Sequence, residues 1–199
     1  MATVPNFLGK HMELPEDRLY SPGAHFWFGT APAGAAGGDA GGGSGADHAP
    51  GGTAAADMGA DAYTAFEVGL TEPGIALTGG LVDLEVLVET GAAIVSGEEV
   101  AFATTRKAIK YFLSPVAGRV TAVNSAADAD AANGSPYSTW LFRMELSPGA
   151  DAGLVDAPAY AAKLAASEHA TEAAVLAAAA AKAGKASPTC RSIYTGIKE

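Results

Sequence analysis

The sequence predicts a mainly β protein, a sandwich or small barrel of short strands, with short helices near its C-terminal end. Three observations predict it. Between residues 82 and 146, apolar side chains alternate with polar ones, as in strands with one buried face. Glycine and proline separate these short segments, which is typical of sandwiches and barrels. After Ser147-Pro148-Gly149 the apolar spacing becomes helical.

The N-terminal part is predicted to contain little regular structure. Residues 1–17 read as an irregular lead-in, and the domain proper is expected over 18–165. Within Leu19 to Phe28, bulky aromatic residues favour a strand, and Ser21-Pro22-Gly23 is a turn signal placed before it.

A low-complexity insert interrupts this domain at residues 29–62. It contains eleven glycines and four aspartates, and it has no lysine or arginine. Such a composition buries too little apolar surface to offset the entropy lost on ordering, so we expect a flexible loop. The entropy of loop closure grows slowly with length, so the flanking fold tolerates the insert.

Five alternating segments follow the insert and predict five strands. Their apolar members are Val82, Leu84, Val86 and Val88; Val100 and Phe102, followed by Thr104; Ile109, Tyr111 and Leu113; Val120 and Ala122; and Trp140, Phe142, Met144 and Leu146. Gly91 ends the first of them, and Ser114-Pro115 and Gly118 separate the third from the fourth.

Two helices are predicted after the strands. Asp156 is a suitable N-cap, Pro158 lies in the first turn, and Tyr160 and Leu164 have the i, i+4 spacing of one helix face. A second, alanine-rich helix is expected to open at Thr171. Residues 166–199 are interpreted as a helical or disordered tail.

Composition excludes several classes of function. A formal charge of −10 argues against nucleic acid as a partner. Cys190 is the only cysteine, so neither an internal disulfide nor a cysteine metal motif is possible. No apolar run reaches the roughly 18 residues of a membrane span. The N-terminus lacks a secretory or transit character, so we expect a cytoplasmic protein, or a mitochondrial one should a targeting segment precede it.

Catalytic motifs are also missing from the sequence. The four histidines, His11, His25, His48 and His169, do not have metal-ligand spacing. We interpret His25 as a strand residue with a structural hydrogen bond.

The most informative segment surrounds Lys107. Two apolar strand runs flank Thr105 to Ala108, so the turn between them falls on Arg106 and Lys107, away from the core. A lysine that another enzyme modifies must be exposed and rigidly presented in this way. A solvated basic turn fits the same local pattern, and the local residues leave both interpretations open.

The segment from Lys107 to Gly118 resembles the lipoyl attachment motif, in which six residues separate the modified lysine from a Ser-Pro pair. Here Ala108 to Leu113 separate Lys107 from Ser114-Pro115. Further pieces of the chain match a known pattern: Val68-Gly69-Leu70-Thr71, Gly80, Gly91, Gly97-Glu98, Pro136-Tyr137, Trp140-Leu141, Asp156-Ala157-Pro158-Ala159-Tyr160 and, at the start, His25-Phe26-Trp27. With these pieces, the chain over about residues 18–164 is similar to the glycine cleavage system H protein family.

This resemblance implies a lipoyl/biotinyl-like flattened β-barrel, a hybrid of barrel and sandwich. It implies a monomeric carrier, not itself an enzyme, with lipoate joined to Lys107 through an amide. The arm would take an aminomethyl group from glycine at a pyridoxal-phosphate glycine decarboxylase and deliver it to an aminomethyltransferase. A dihydrolipoamide dehydrogenase would reoxidise the arm, and a lipoate-attaching enzyme would install it.

The residues around Lys107 depart from the family pattern and keep two alternatives open. Thr104 stands where relatives usually carry glutamate, and Arg106 and Lys110 replace acidic or small neighbours. One alternative is a structural or interaction subunit that lacks the lipoyl group. The other is a carrier for a different lipoate- or biotin-dependent system, although biotin carriers typically have methionine beside the lysine, where this chain has Arg106 and Ala108.

Overall fold

The structure is a computed structural model that describes residues 1–32 and 65–170. Residues 33–62 of the predicted insert, and the alanine-rich helix predicted from Thr171, lie outside the described residues. The strands are β1 (Ala2–Phe7), β2 (Lys10–Leu14), β3 (Arg18–Ser21), β4 (Phe26–Thr30), β5 (Ala65–Leu70), β6 (Asp83–Val86), β7 (Ala93–Ile94), β8 (Glu99–Thr104), β9 (Ile109–Leu113), β10 (Gly118–Val123) and β11 (Phe142–Leu146). The α-helices are α1 (Glu72–Thr78), α2 (Ala129–Gly134) and α3 (Ala157–Ala165), with 3-10 helices at Ala150–Gly153 and Glu168–Ala170.

The described strands form three antiparallel sheets. The largest has six strands in the order β3-β4-β5-β11-β10-β7, the second has three in the order β6-β8-β9, and β1 pairs with β2 alone. The prediction of a mainly β protein is confirmed. Across the described ranges the sheets stay separate, so the architecture is a sandwich and not a closed barrel.

One apolar core lies between the six-stranded and three-stranded sheets. Phe26 of β4 meets Phe112 of β9 edge-on, with 6.1 Å between the ring centres, so the two sheets are in direct contact. Val68, Phe142 and Met144 of the large sheet share this core with Leu84 and Ala101 of the three-stranded sheet. Burial of this apolar surface is the main force that holds the sheets together.

The prediction of an irregular lead-in was wrong. Residues 2–14 form a hairpin whose turn, Leu8-Gly9, has φ values of 51° and 78°. Positive φ at both turn residues matches the right-handed twist of a two-residue hairpin. The hairpin buries four side chains against Trp27 and α3: Val4, Phe7, Met12 and Leu14. The hairpin was not predicted from the sequence because leucine is an unusual residue at the first turn position.

Three further boundaries differ from the sequence expectation. The segment from Arg18 to Thr30 makes two strands where one was predicted: the predicted turn does precede a strand, β4, but a further strand, β3, leads into it. Because Gly29 and Thr30 complete β4, the insert cannot begin at residue 29. The predicted tail begins with packed residues, since His169 is buried against Phe7 and its carbonyl accepts a 3.0 Å hydrogen bond from the N–H of Leu8.

The three described α-helices begin at side-chain caps. Asp156 accepts a 2.9 Å hydrogen bond from the N–H of Ala159, so the predicted cap of α3 is confirmed. Thr71 caps α1 in the same way, and Asp128 caps α2. Neither of these two short helices was predicted, because a single turn or two offers little periodic signal.

The first predicted strand is shorter than its alternation suggested. β6 covers only Asp83–Val86, with Leu84 buried, whereas Val82 precedes it and is 60% exposed. The N–H of Val82 still donates to the carbonyl of Thr104, which ties this segment to the end of β8.

Candidate functional site

Lys107 lies in a tight turn between β8 and β9. Thr104 pairs with Ile109 at the last step of the ladder, and the N–H of Thr105 donates a 2.9 Å hydrogen bond to the carbonyl of Ala108. Arg106 and Lys107 occupy the two central positions with negative φ, and both side chains are exposed. The predicted turn position and exposure of Lys107 therefore agree with the structure.

The hydroxyl of Thr105 stabilises this turn by hydrogen bonds to its backbone. It accepts hydrogen bonds from the N–H of Lys107, at 3.2 Å, and of Ala108, at 3.1 Å, and it donates to the carbonyl of Ala108 at 2.8 Å. Thr105 is only 8% exposed. Sequence reasoning missed this residue, although a threonine at the first position of a four-residue turn is a recognised signal for such bonding.

The strands below the turn are anchored in the core. Ala103 and Ala101 of β8 face inward and pair with Lys110 and Phe112 of β9. Phe112 is buried between the sheets. Small alanines on one strand and a large ring on the other let the three-stranded sheet approach the core closely.

The Ser-Pro pair and the glycine that follow the lysine have structural roles at and beyond the far end of β9. Buried Ser114 exchanges backbone hydrogen bonds of 2.7 and 2.8 Å with Gly97 and Glu98, and its hydroxyl donates to the carbonyl of Val116. At Gly118 a side chain would collide with the backbone of Glu145. The Ser114 contacts fix where β9 ends, and the close approach at Gly118 lets β10 pair with β11.

The two other basic residues of the hairpin have different surroundings. Arg106 is exposed beside Lys107. Lys110 is half-buried on the inner face, with its Nζ 5.5 Å from the centre of the Phe112 ring, and burial lowers its pKa. The basic character expected around Lys107 is thus carried at the turn by Arg106.

His25 lies in the connection before β4, not in a strand as predicted. Its Nδ1 is 2.7 Å from the hydroxyl of Tyr160, which is also 3.1 Å from the hydroxyl of Thr71. Burial lowers the pKa of His25 to about 4, and Lys110 and His169 add to the effect. The ring is therefore neutral near pH 7, and the expected structural hydrogen bond is present.

The outer face of the three-stranded sheet is apolar along β9. Ile109, Tyr111 and Leu113 are 59%, 52% and 45% exposed. An apolar alternation usually marks the buried face of a strand, but here it lies on the solvent side while Phe112 faces the core. We call these three residues the outer stripe.

Across residues 1–32 and 65–170, no three His, Cys, Asp or Glu side chains cluster closely enough to hold a metal ion. None of the helices in these ranges is long and apolar enough to cross a membrane.

Comparison with known proteins identifies the family. The family model "Glycine cleavage H-protein" matches residues 59–167, more than half of the chain. A glycine cleavage system H protein of Burkholderia cenocepacia is 42% identical over 96 residues, which are 47% of this chain and 75% of that protein. An Escherichia coli relative of the same name is 35% identical over 108 residues, 52% of this chain and 83% of the relative.

A solved structure supports the fold. The crystal structure of a glycine cleavage system H protein from Mycobacterium marinum superposes with a TM-score of 0.52 and 23% sequence identity, covering 75% of this chain and 98% of that one. The matching sequence model, the curated relatives and the shared β-sandwich agree. The chain belongs to the glycine cleavage H-protein family.

Proposed function

We propose that this protein is the lipoyl carrier of a glycine cleavage system and that lipoate is attached to Lys107. Membership of the family supports a carrier role in glycine cleavage. The observation that carries the assignment to this residue is the Thr105–Ala108 turn, which holds an exposed lysine at the tip of an anchored hairpin.

The surroundings of Lys107 fit a covalently attached arm. Its side chain is exposed, so an amide on Nζ and a long substituent meet no core residue. In the attachment step, Nζ attacks the carbonyl carbon of an activated lipoyl group such as a lipoyl adenylate. A C–N bond forms, the C–O bond to the phosphate breaks, AMP leaves, and the amine loses its proton to solvent.

The chain's own contribution is positioning. The attached lipoate supplies a dithiolane that takes up and releases the aminomethyl group of glycine. The hairpin holds the base of the arm at a fixed place, so the tethered group reaches partner active sites at high effective concentration. Partners of the stated chemistry are a pyridoxal-phosphate glycine decarboxylase, an aminomethyltransferase, a dihydrolipoamide dehydrogenase and a lipoate-attaching enzyme.

Intact-mass measurement of the natively produced protein tests this proposal. With lipoate available, we expect a mass increase of one lipoyl group that Lys107→Arg abolishes. Arginine keeps the charge and approximate length of lysine but has no amine that can be acylated in this way. The variant therefore removes the attachment site and leaves the fold unchanged. Unmodified wild-type protein under these conditions contradicts the assignment.

A second function is favoured by one observation, the exposed Arg106 beside Lys107 where the family usually has an acidic or small residue. Under this alternative the protein is a structural or interaction subunit without the lipoyl group. A Lys107→Ala variant that retains full cellular function, together with unmodified wild-type protein, supports the alternative over the carrier.

A further inference from the structure

We propose that the outer stripe, together with the exposed carboxylates of Asp83 and Glu85 on nearby β6, is the surface on which the enzyme that acylates Lys107 docks. The inference rests on the carrier function proposed above. It commits to one partner: a protein whose docking surface has an apolar centre and basic side chains along one side.

The first argument is the apolar surface itself. Ile109, Tyr111 and Leu113 are each about half exposed on a single strand, and Phe102 of β8 extends the stripe sideways. The rings of Phe102 and Tyr111 lie 6.0 Å apart, so both stand on the outer face. Large apolar side chains grouped on an exposed sheet face are typical of interaction sites, because leaving them in water is unfavourable.

The second argument is charge. The ladder places Asp83 and Glu85 of β6 opposite Thr104 and Phe102 of β8, so they lie on the far side of β8 from the outer stripe, and both carboxylates are exposed. Glu99 pairs with Leu113 at the end far from Lys107. Within the part of the chain that the structure describes, no ion pair engages these three carboxylates. A partner with lysine or arginine on the matching side would complement them.

The third argument selects the partner. An enzyme that acts on the far end of a lipoyl arm need only reach that end. An attaching enzyme must bring its activated acyl carbon to within about 3.5 Å of Nζ of Lys107. Its surface must therefore lie over the hairpin, and Ile109, the second residue after Lys107, is at the near end of the stripe. Tyr111 follows about 7 Å further along β9, at the rise of about 3.3 Å per residue of a strand.

This arrangement explains how the chain is recognised despite its departures near the lysine. Thr104 and Arg106 remove the acidic neighbourhood that the family usually offers at the turn. Apolar contact along the outer stripe and carboxylates along β6 supply recognition on the adjacent face instead. The attaching enzyme for this protein thus recognises the apolar outer stripe and the carboxylates of β6 near it.

The test is lipoylation of the full-length unmodified protein by the attaching enzyme of the same source, with lipoic acid and ATP, followed by intact mass over time. The variant is the double substitution I109S/Y111S. Val95→Ser is the matched control, since Val95 is 63% exposed but lies in the connection between β7 and β8. We expect KM for the double variant to rise roughly tenfold with kcat nearly unchanged, as for loss of a contact hot spot. The control should match the wild type.

A charge variant provides a second, independent readout. D83K/E85K should also raise KM by roughly tenfold at low salt, with the difference from wild type shrinking as salt increases. Circular dichroism melts accompany each variant, and unchanged Tm values are expected because the substituted side chains are exposed.

The outcomes separate the two proposals. Wild-type protein that is never lipoylated contradicts the carrier function. Wild type and I109S/Y111S lipoylated with equal KM overturn the docking surface and leave the carrier function standing. Sedimentation that shows a concentration-dependent dimer, which the double variant abolishes, would mean that a second copy covers the outer stripe. A marked fall of Tm in the double variant would mean that the chain's own residues cover it. Either result also overturns the docking surface.

Discussion

The hydroxyl of Thr105 accepts a 3.2 Å hydrogen bond from the backbone N–H of Lys107, and this contact holds the main chain of the lysine in the turn. The same oxygen bonds to both backbone groups of Ala108. Lys107 can therefore be exposed at its side chain and still be held at its backbone, which is what an attachment point for a swinging arm requires.

Thr105→Val removes these hydrogen bonds without changing the size or branching of the side chain. We expect lipoylation of Lys107 to slow by about tenfold, because a loss of about 1.4 kcal/mol in the presented turn corresponds to that factor. Initial rates from intact mass measure the effect. Thr105→Ser keeps the hydroxyl and should lipoylate at close to the wild-type rate; equal rates for the valine and wild-type proteins would show that the hydroxyl is dispensable.

Phe7→Ala tests whether the first fourteen residues belong to the folded domain. Phe7 is fully buried and lies edge-on to His169. Emptying this site should lower the free energy of unfolding by about 3–5 kcal/mol. Denaturant unfolding measures it, with Asn6→Ala, on the exposed side of the same strand, as the control. A fall in the free energy of unfolding below about 0.5 kcal/mol, the range of ordinary surface substitutions, would show that this segment is not part of the folded domain.

Gly69→Ala tests the close approach of β5 to Trp27. A methyl group at this position would lie 2.5 Å from the carbonyl oxygen of Thr139 and 2.5 Å from the indole ring. Neither the backbone of Thr139 nor the packed indole ring can move aside without strain. We therefore expect the free energy of unfolding to fall by about 1–3 kcal/mol, as measured by denaturant unfolding.

Gly134→Ala is the matched control for this substitution. It lies in α2, where an added methyl group has nothing within 4 Å. Alanine favours the helix there, so the control should stabilise the protein by roughly 0.5 kcal/mol. A destabilised control together with an unchanged Gly69→Ala would contradict the packing described for both glycines.

His25 should make the protein less stable as pH falls below its ordinary pKa of 6.5. Its folded pKa is about 4, so between these values the unfolded chain binds a proton that the folded chain does not. The free energy of unfolding should then fall by roughly 3 kcal/mol on going from pH 7 to pH 4, at 1.4 kcal/mol for each pKa unit.

His25→Asn is the variant that isolates this effect. Asparagine tolerates the positive φ of 58° at this position but does not titrate. Denaturant unfolding from pH 7 to pH 4 should be less pH-dependent in the variant than in the wild type. Identical pH profiles would exclude His25 as the source of the acid sensitivity.

The sequence alone determined much about this protein. Period-two alternation between residues 82 and 146 predicted five of the described strands, β6 and β8 to β11, because side chains on a pleated strand alternate between two faces whatever surrounds it. The apolar strand runs on either side of Thr105 to Ala108 located the turn at Arg106 and Lys107, and Asp156 marked the start of α3. Each of these features depends on residues that are close in the chain.

Tertiary structure decided what local patterns leave open. Alternation cannot say which face of a strand is buried, and the packing of Phe112 against Phe26 turned Ile109, Tyr111 and Leu113 towards solvent. The N-terminal hairpin is buried because α3, distant in sequence, packs on it. His25 meets Tyr160 across 135 positions of the chain. Contacts of this range depend on how whole sheets and helices pack, which no short window of sequence contains.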